Sequence, residues 1–266
     1  MSITTVTESA TRPQPPGPLS ASMTFVWRAA VKARHMPEQL GDVIMIPILF
    51  TLMFTYLFGG ALAGSTVEYL RFLLPGTLVM TVVLLTVFTG VTLNTDLSSG
   101  AFDRFRSLPI WRPAPIVGLL IGDTLRYMVA SALVIGLGLL IGFRPEGGVL
   151  GVVAAVGLIL LFAFSLSWVW ITLALILRTP AAVNIAGLLF IFPLSFVSNV
   201  FVDPETMPDW LQTFVDINPV SHLVTAVRAL VHGGSPGSEV GWVLIACAAL
   251  VAVFAPMSMY IYRRKV

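Results

Sequence analysis

Charged side chains are scarce in this sequence. Only 11% of its 266 residues are charged, against about a quarter in a soluble domain, while 57% are hydrophobic and the mean hydropathy is +0.93. So few charges cannot cover a water-facing surface. The formal net charge of +2 is too small to indicate a nucleic-acid partner. The composition therefore predicts an integral membrane protein.

The sequence is also poor in cysteine and shows no pattern typical of a cleavable leader peptide. Cys247 is the single cysteine, which excludes an intramolecular disulfide and a multi-cysteine metal site. No apolar stretch follows a basic start near the N-terminus, so we predict no signal peptide. Residues 1–20 are instead rich in Thr, Ser and Pro. We predict a disordered tail there and one membrane domain over residues 21–266.

The sequence also lacks the residues that an ATPase or a membrane enzyme needs. No Gly-x4-Gly-Lys-Ser/Thr phosphate loop is present, and the only lysines, Lys32 and Lys265, lie outside Gly-rich contexts. No polar segment is long enough to fold a nucleotide-binding domain. Asp123 is the sole acid inside an apolar run. We predict no catalytic residue, no metal site and no cofactor bound by this chain.

What the chain does contain is six apolar runs, each long enough to cross a bilayer. A helix rises 1.5 Å per residue, so about 20 residues span a hydrocarbon core of about 30 Å. Lipid offers the backbone no hydrogen-bond partners, and no run alternates like a barrel strand. The sequence therefore predicts an all-α integral membrane protein with six transmembrane helices, at residues 43–62, 72–93, 115–142, 149–177, 181–202 and 240–262.

The basic residues at the ends of these runs predict the orientation. One side of the membrane would carry eleven of them: Arg12, Arg28, Lys32, Arg34, Arg104, Arg106, Arg112, Arg178, Arg263, Arg264 and Lys265. The other side would carry three, Arg71, Arg144 and Arg228. Because cytoplasmic loops are enriched in Lys and Arg, both termini are expected in the cytoplasm.

Residues 19–39 precede the first span and mix apolar with cationic residues at helical spacing. Trp27 suits the headgroup level, and Arg28, Lys32 and Arg34 suit anionic lipid. We predict an N-terminal helix lying flat on the cytoplasmic membrane surface. The alternative is a merely basic juxtamembrane stretch.

Residues 94–109, between the second and third spans, combine charge with apolar periodicity. Spacings of three and four residues place one stripe on a helix: Leu97, Ala101, Phe105 and Leu108. Asp96 and the following serines can cap its start, and Pro109 stops it. So short a helix is marginal alone in water. It therefore either docks into a cytoplasmic partner or rests on lipid.

The segment between the fifth and sixth spans is too apolar for a solvated loop, and prolines divide it into short pieces. We predict two half-helices, around 205–216 and 219–231, that dip into the outer leaflet. The alternative is an interfacial helix pair with a structural role only.

Polar residues inside the spans are candidates for function. Asp123 and Arg126 can pair at i, i+3, either as a functional group facing the bundle interior or as a structural pair near the cytoplasmic headgroups. The fifth span offers a possible substrate pathway, although packing between helices is the alternative: Asn184, Phe192, Ser195, Phe196 and Asn199.

Three segments together resemble type 2 ABC exporter permeases, in the branch of the daunorubicin-resistance permeases. Gly100-Ala-Phe-Asp-Arg-Phe-Arg-Ser-Leu-Pro109 is similar to the coupling segment between their spans 2 and 3. Pro47-Ile-Leu-Phe-Thr-Leu-Met-Phe-Thr-Tyr-Leu-Phe-Gly-Gly60 resembles their first span. Asp203-Pro-Glu-Thr-Met-Pro-Asp-Trp-Leu-Gln212, followed by Asn218-Pro-Val-Ser-His-Leu-Val-Thr-Ala-Val-Arg228, resembles their connection from span 5 to span 6. The likeness runs from about Phe25 to the C-terminus.

The resemblance implies an ABC exporter transmembrane domain over residues 21–266, in a bacterial plasma membrane. It implies that a second copy, or a related permease, completes the pathway, and that a separate ATPase subunit binds ATP and Mg. The coupling helix that contacts this ATPase would comprise Leu97, Ala101, Phe102, Asp103, Arg104, Phe105, Arg106, Leu108 and Pro109. A re-entrant hairpin forming the outer gate would include Pro204, Pro208, Trp210, Asn218, Pro219, His222 and Arg228.

The expected cargo is a hydrophobic or amphipathic drug-like compound or a lipid, since the predicted spans are dominated by apolar side chains. The same family also exports polysaccharides and glycolipids, which stays an alternative. An ion-coupled secondary transporter is a weaker alternative, because no inverted repeat is evident.

Overall fold

The computed structural model describes Met45 and residues 48–57, 66–100, 113–202 and 206–265. Within these ranges the chain is helical and contains no strand. The eight helices are α1 (Ile48–Leu57), α2 (Thr66–Ser98), α3 (Ala114–Ile141), α4 (Gly148–Ile176), α5 (Pro180–Phe196), α6 (Asp209–Ile217), α7 (Pro219–Val231) and α8 (Glu239–Lys265).

Four of these helices, α2, α3, α4 and α8, are long and apolar enough to cross a membrane. The bent pair of α6 and α7 would count as a fifth crossing if its two helices are taken together. The prediction of an all-helical membrane protein is confirmed for the described residues. The count of six spans stays a prediction, because α1 and α5 are shorter than a full crossing.

Helix ends follow from local chemistry. α3 begins at Pro113 and Pro115, where the backbone N–H would have no partner within the helix, so proline loses no hydrogen bond. The helix ends at Gly142, whose φ of 114° is a left-handed conformation that favours glycine. α5 begins at Pro180, and the preceding Thr179 side chain accepts a hydrogen bond from the Ala182 N–H at 3.2 Å.

α5 is shorter than predicted. The sequence predicted a span over residues 181–202, but the helix ends at Phe196 and the chain turns at residues 197–200. The Asn218 side chain donates to the carbonyl oxygens of Leu194 and Val197, at 2.7 and 2.6 Å. These bonds satisfy helix-end carbonyls that a longer helix would have paired internally.

α2 is longer than predicted, at both ends. It continues through Asp96 to Ser98, so Asp96 lies inside α2 and does not begin a separate helix, while capping by the serines at the end of α2 stays a prediction. Leu97 instead lies in the last turn of α2, which Gly100 (φ 71°) terminates. The other predicted coupling residues, Ala101 to Pro109, lie outside the described residues, as do the N-terminal tail and the predicted surface helix.

α2 is the central element of the bundle. It packs against α3, α4, α5 and α7, and 83% of its most apolar stretch is buried, against 11% for α8. α4 also contacts α3, α5, α7 and α8. The buried apolar side chains of α2 and α4 form the main core, which positions α5 and the α6–α7 pair on either side of α2.

Candidate functional site

A cavity of about 300 Å³ lies between α1, α2 and α5. It is lined by Phe50, Met80, Thr81, Leu84, Leu85, Val87, Phe88, Asn184, Leu188 and Phe192. Only Thr81 and Asn184 among them carry polar side chains. Such a lining suits an apolar molecule that offers one or two hydrogen-bonding groups.

Five phenylalanines form a continuous row beside this cavity. Successive ring centres are 5.7 Å apart for Phe50 and Phe54, 4.6 Å for Phe54 and Phe201, 5.5 Å for Phe201 and Phe196, and 5.3 Å for Phe196 and Phe192. The first and last rings of this aromatic row also line the cavity. Phe192 and Phe196 are 47% and 43% exposed, so part of each side chain is accessible at the surface.

The predicted ion pair of α3 is present and lies behind one wall of the cavity. The Arg126 guanidinium is 3.1 Å from an Asp123 carboxylate oxygen, and Asp123 is only 6% exposed. Arg126 also donates to the Leu85 carbonyl at 3.3 Å and lies 5.9 Å from the Phe88 ring centre. Leu85 and Phe88 both line the cavity, so the charge pair is separated from it by one layer of side chains.

The pair lies well inside α3 rather than at its end. Arg126 is twelve residues beyond Ala114, about 18 Å along the helix at 1.5 Å per residue. One oxygen of Asp123 and the Nε of Arg126 are buried without a hydrogen-bond partner among the described residues. Each charge therefore depends on the other, since neither is otherwise fully compensated.

A chain of hydroxyl groups continues from the next residue of α3. The Tyr127 hydroxyl lies 2.8 Å from the Thr89 hydroxyl of α2 and 3.2 Å from the Ser167 hydroxyl of α4. Nearby, the Trp170 indole N–H donates to the Thr86 hydroxyl at 2.7 Å. These bonds join α2, α3 and α4 at the level of the charge pair.

The structure divides the predicted pathway residues, of which Asn199 lies beyond the end of α5, into two groups. Asn184 and Phe192 line the cavity, and Phe196 extends the aromatic row. Ser195 and Asn199 do not line it, because both are buried among the helices. The Asn199 amide donates to the Thr225 hydroxyl of α7 at 2.8 Å.

The predicted pair of half-helices is present as α6 and α7, which meet at Asn218 with a bend of 76°. Pro208 precedes α6, and Pro219 is the first residue of α7. Trp210 of α6 is exposed, whereas Asn218 is buried. Pro204 lies outside the described residues.

Asn218, which lies between α6 and α7, connects these two helices to the end of α5 through its side-chain amide. Its oxygen accepts from the Val220 N–H at 2.9 Å and so caps α7, while its nitrogen donates to the two carbonyls at the end of α5. The resemblance identified this asparagine as part of the expected outer-gate hairpin. Its contact with α5 is a tertiary contact that no local pattern reveals.

Arg228, near the end of α7, connects the hairpin to α2. Its guanidinium donates to the Phe72 carbonyl at 3.3 Å and to the Asn199 carbonyl at 3.0 Å, and it lies 4.1 Å from the Phe72 ring centre. An arginine over an aromatic ring in a low-dielectric setting adds a cation–π attraction.

Sequence reasoning missed a contact between His222 and Glu239. The His222 Nδ1 lies 2.6 Å from a Glu239 carboxylate oxygen, and the imidazole stacks on Trp242 at 5.8 Å between ring centres. This contact joins the first turns of α7 and α8. The two residues are seventeen positions apart in separate elements, so spacing offered no signal.

Comparison of the sequence with known proteins identifies the family of this chain. The model of the ABC-2 type transporter family matches residues 21–232. The chain is 51% identical to the daunorubicin resistance ABC transporter permease protein DrrB1 of Streptomyces coeruleorubidus over 261 residues, covering 98% of this chain and 92% of that relative.

Two more distant relatives agree. The probable doxorubicin resistance ABC transporter permease protein DrrC of Mycobacterium tuberculosis (strain ATCC 25618 / H37Rv) is 24% identical over 258 residues, 94% of this chain and 93% of the relative. The putative transport permease ycf38 of Cyanophora paradoxa is 24% identical over 214 residues, 77% of this chain and 72% of the relative. With its bundle of long apolar helices, this chain belongs to the ABC-2 type transporter family and is a multi-pass membrane permease.

Proposed function

We propose that this chain is the membrane subunit of an exporter that moves a hydrophobic or amphipathic drug-like compound, or a lipid, out of a bacterial cell. A separate ATPase subunit would bind ATP and Mg and drive the transport. The observation that carries the proposal is 51% identity, over nearly the whole chain, to a permease named for daunorubicin resistance. This extent of identity leaves no segment of the transmembrane domain unmatched.

The cavity between α1, α2 and α5 is the proposed cargo site. Eight of its ten lining side chains are apolar and three are phenylalanines, which suits ring systems or acyl chains. A polysaccharide would need many hydrogen-bonding groups along its path, and Thr81 and Asn184 supply only two here. Polysaccharide or glycolipid export is therefore the weaker alternative.

A second copy of the chain, or a related permease, is proposed to complete the pathway. The outer side of α5 presents large apolar residues, among them Ile185, Leu189 and Phe190, next to those that line the cavity. A partner helix packed there would enclose the cavity between two subunits, with lipid around the remaining faces.

The membrane orientation follows the distribution of basic residues. Both termini and residues 101–112 are proposed to lie in the cytoplasm, where residues 101–112 would contact the ATPase. The α6–α7 pair then lies at the opposite end and is proposed to form the outer gate. Arg228 and Asn218 support this assignment, because they fix the pair to α2 and α5.

The proposal is tested with inside-out vesicles that contain the permease and an ABC ATPase subunit that co-purifies with it. ATP should drive uptake of daunorubicin, followed by fluorescence quenching, and a non-hydrolysable ATP analogue should not. Vesicles holding the permease without the ATPase are the control. ATP-independent uphill uptake by the permease alone would overturn the proposal and favour an ion-coupled transporter.

A further inference from the structure

Asn94 ties the cytoplasmic end of α2 to the end of α4. Its side-chain amide donates to the Ala174 carbonyl at 2.8 Å and to the Leu177 carbonyl at 2.9 Å, and the residue is 3% exposed. Carbonyls in the last turn of a helix have no donor within that helix. Pro180, three residues beyond Leu177, has no N–H to offer. Asn94 therefore supplies donors that the chain around α4 lacks.

This contact is the last of a stripe along α2. Thr86, Gly90 and Asn94 follow at intervals of four residues, which places them on one face of the helix. The Thr86 hydroxyl accepts from the Trp170 indole, and a Cβ on Gly90 would lie 2.8 Å from the Trp170 carbonyl oxygen. The backbones of α2 and α4 thus approach closely, and polar contacts fix them at both ends of the stripe.

Asn94 lies close in the chain to the proposed ATPase contact, and its hydrogen bonds reach the link between α4 and α5. α2 ends four residues later at Ser98, just before the segment 101–112. On the other side of the contact, residues 177–179 link α4 to α5, which carries the cavity residues Asn184 and Phe192. Asn94 therefore lies between the proposed ATPase contact and the element that forms one wall of the cavity.

We propose that Asn94 is a positioning residue, through which movement of the end of α2 reaches the link between α4 and α5. The proposal rests on the proposed function. With the amide present, the ends of α2 and α4 move together, and α5 follows through residues 177–179. Without the amide, the end of α4 no longer follows α2, so ATP hydrolysis continues while the α2 and α5 walls of the cavity move less in step.

The first test compares Asn94→Ala and Asn94→Asp with Thr95→Ala. Thr95 is the matched control, because its exposed hydroxyl donates to the Val91 carbonyl of its own helix at 2.8 Å and to no other helix among the described residues. For each variant, the ratio of cargo moved to ATP hydrolysed is measured in vesicles at equal amounts of assembled permease and ATPase. We expect this ratio to fall by roughly tenfold for both Asn94 variants, since two hydrogen bonds are lost, and to stay at the wild-type value for Thr95→Ala.

The Asn94→Asp variant distinguishes the loss of the hydrogen-bond donors from the loss of side-chain volume. Aspartate has the size of asparagine but directs oxygen at two carbonyl oxygens, so its ratio should fall at least as far as that of alanine. A smaller loss for Asp than for Ala, or an unchanged ratio for both, would overturn the proposal. If the wild-type pair of subunits moves no cargo at all, the proposed function fails instead.

A second test restores the connection chemically. In a chain whose Cys247 is changed to Ser, Asn94→Cys and Leu177→Cys are joined by a short thiol-specific cross-linker. We expect the ratio of cargo moved to ATP hydrolysed to be low before cross-linking. It should rise severalfold once residues 94 and 177 are linked. A linked protein that hydrolyses ATP but regains no transport contradicts the proposal.

Discussion

At the scale of single residues, three polar side chains, two of them buried and one half-buried, share one mode of contact. Asn94, Asn218 and Arg228 each donate to two backbone carbonyls, and in each case at least one of those carbonyls lies at or beyond the end of a neighbouring helix. Unsatisfied helix ends are costly inside a membrane, because no water is available to replace the missing bond. A few polar residues therefore decide where helices of this bundle end and what they touch.

Replacing Asn218 tests this role at the outer end. Asn218→Ala should lower the free energy of unfolding by about 1–3 kcal/mol, because the Leu194 and Val197 carbonyls lose their donor. Asn218→Asp keeps the oxygen that caps α7 but also loses the donor, so it should be destabilised as well. The measurement is the thermal unfolding midpoint in detergent. An Asn218→Asp variant as stable as wild type would show that Asn218 stabilises the protein only by capping α7, not by donating to the end of α5.

The Asp123–Arg126 pair allows a sharper residue-scale prediction. Arg126→Ala should destabilise the protein by about 3–5 kcal/mol, because it leaves a buried carboxylate uncompensated. Removing both charges should cost less than removing Arg126 alone. Folded protein recovered from membranes, together with the unfolding midpoint, measures both effects.

Thr124→Ala is the control for that experiment, since its hydroxyl bonds to the Leu120 carbonyl of its own helix at 2.8 Å. A double variant no better than Arg126→Ala would show that the two charges do not compensate each other.

At the scale of elements, glycines set the distance between α4 and α7. Gly147 and Gly151 are four residues apart at the start of α4, and a side chain on either would collide with the Leu230 carbonyl oxygen. The Gly147 N–H also donates to the Val231 carbonyl at 2.8 Å. Small residues four apart allow close helix packing in membranes, and here they hold the end of the hairpin against the bundle.

Gly151→Ala should therefore displace α7 and destabilise the protein by about 1–3 kcal/mol, the usual range for overpacking. Gly157→Ala is the matched control on the same helix, because a Cβ there meets no atom within 4 Å. It should be neutral or slightly stabilising, since alanine favours helix. Equal unfolding midpoints for the two variants would contradict the close contact inferred for Gly151.

At the scale of the whole molecule, attachment of the ATPase should depend on a small apolar surface. Phe105→Asp combined with Leu108→Asp should abolish co-purification of the ATPase while membrane insertion stays intact, because charge replaces the apolar anchors of the proposed contact. Phe214→Asp, at the opposite end, is the control and should retain the ATPase. Unchanged co-purification with the Phe105 and Leu108 variant would refute the docking role.

The sequence predicted the elements of this molecule better than their connections. Hydrophobic run length predicted α2, α3, α4 and α8, and prolines predicted α6 and α7 within a few residues. The ion pair at Asp123 and Arg126 followed from helical spacing. The end of α5 and the contact between His222 and Glu239 did not, because each depends on a residue from a distant element. The extension of α2 goes beyond its hydrophobic run and did not follow from run length either.

The cavity was predicted only in part, for the same reason. Asn184 and Phe192 were identified from their own helix, but nothing in the sequence aligned them with Phe50 or with the cavity-facing side of α2. Ser195 and Asn199 share the polarity of Asn184, and only tertiary packing distinguishes them.

The unbroken length of α2 sets the amplitude of any motion it makes. Its 33 residues extend about 50 Å at 1.5 Å per residue, well beyond the hydrocarbon thickness of about 30 Å. As one continuous helix, with Pro75 near its start, α2 would convert a rotation of about 10° at one tip into a sweep of roughly 9 Å at the other. A modest angular step at one end of α2 is thus geometrically sufficient to shift its other end by nearly the width of a helix.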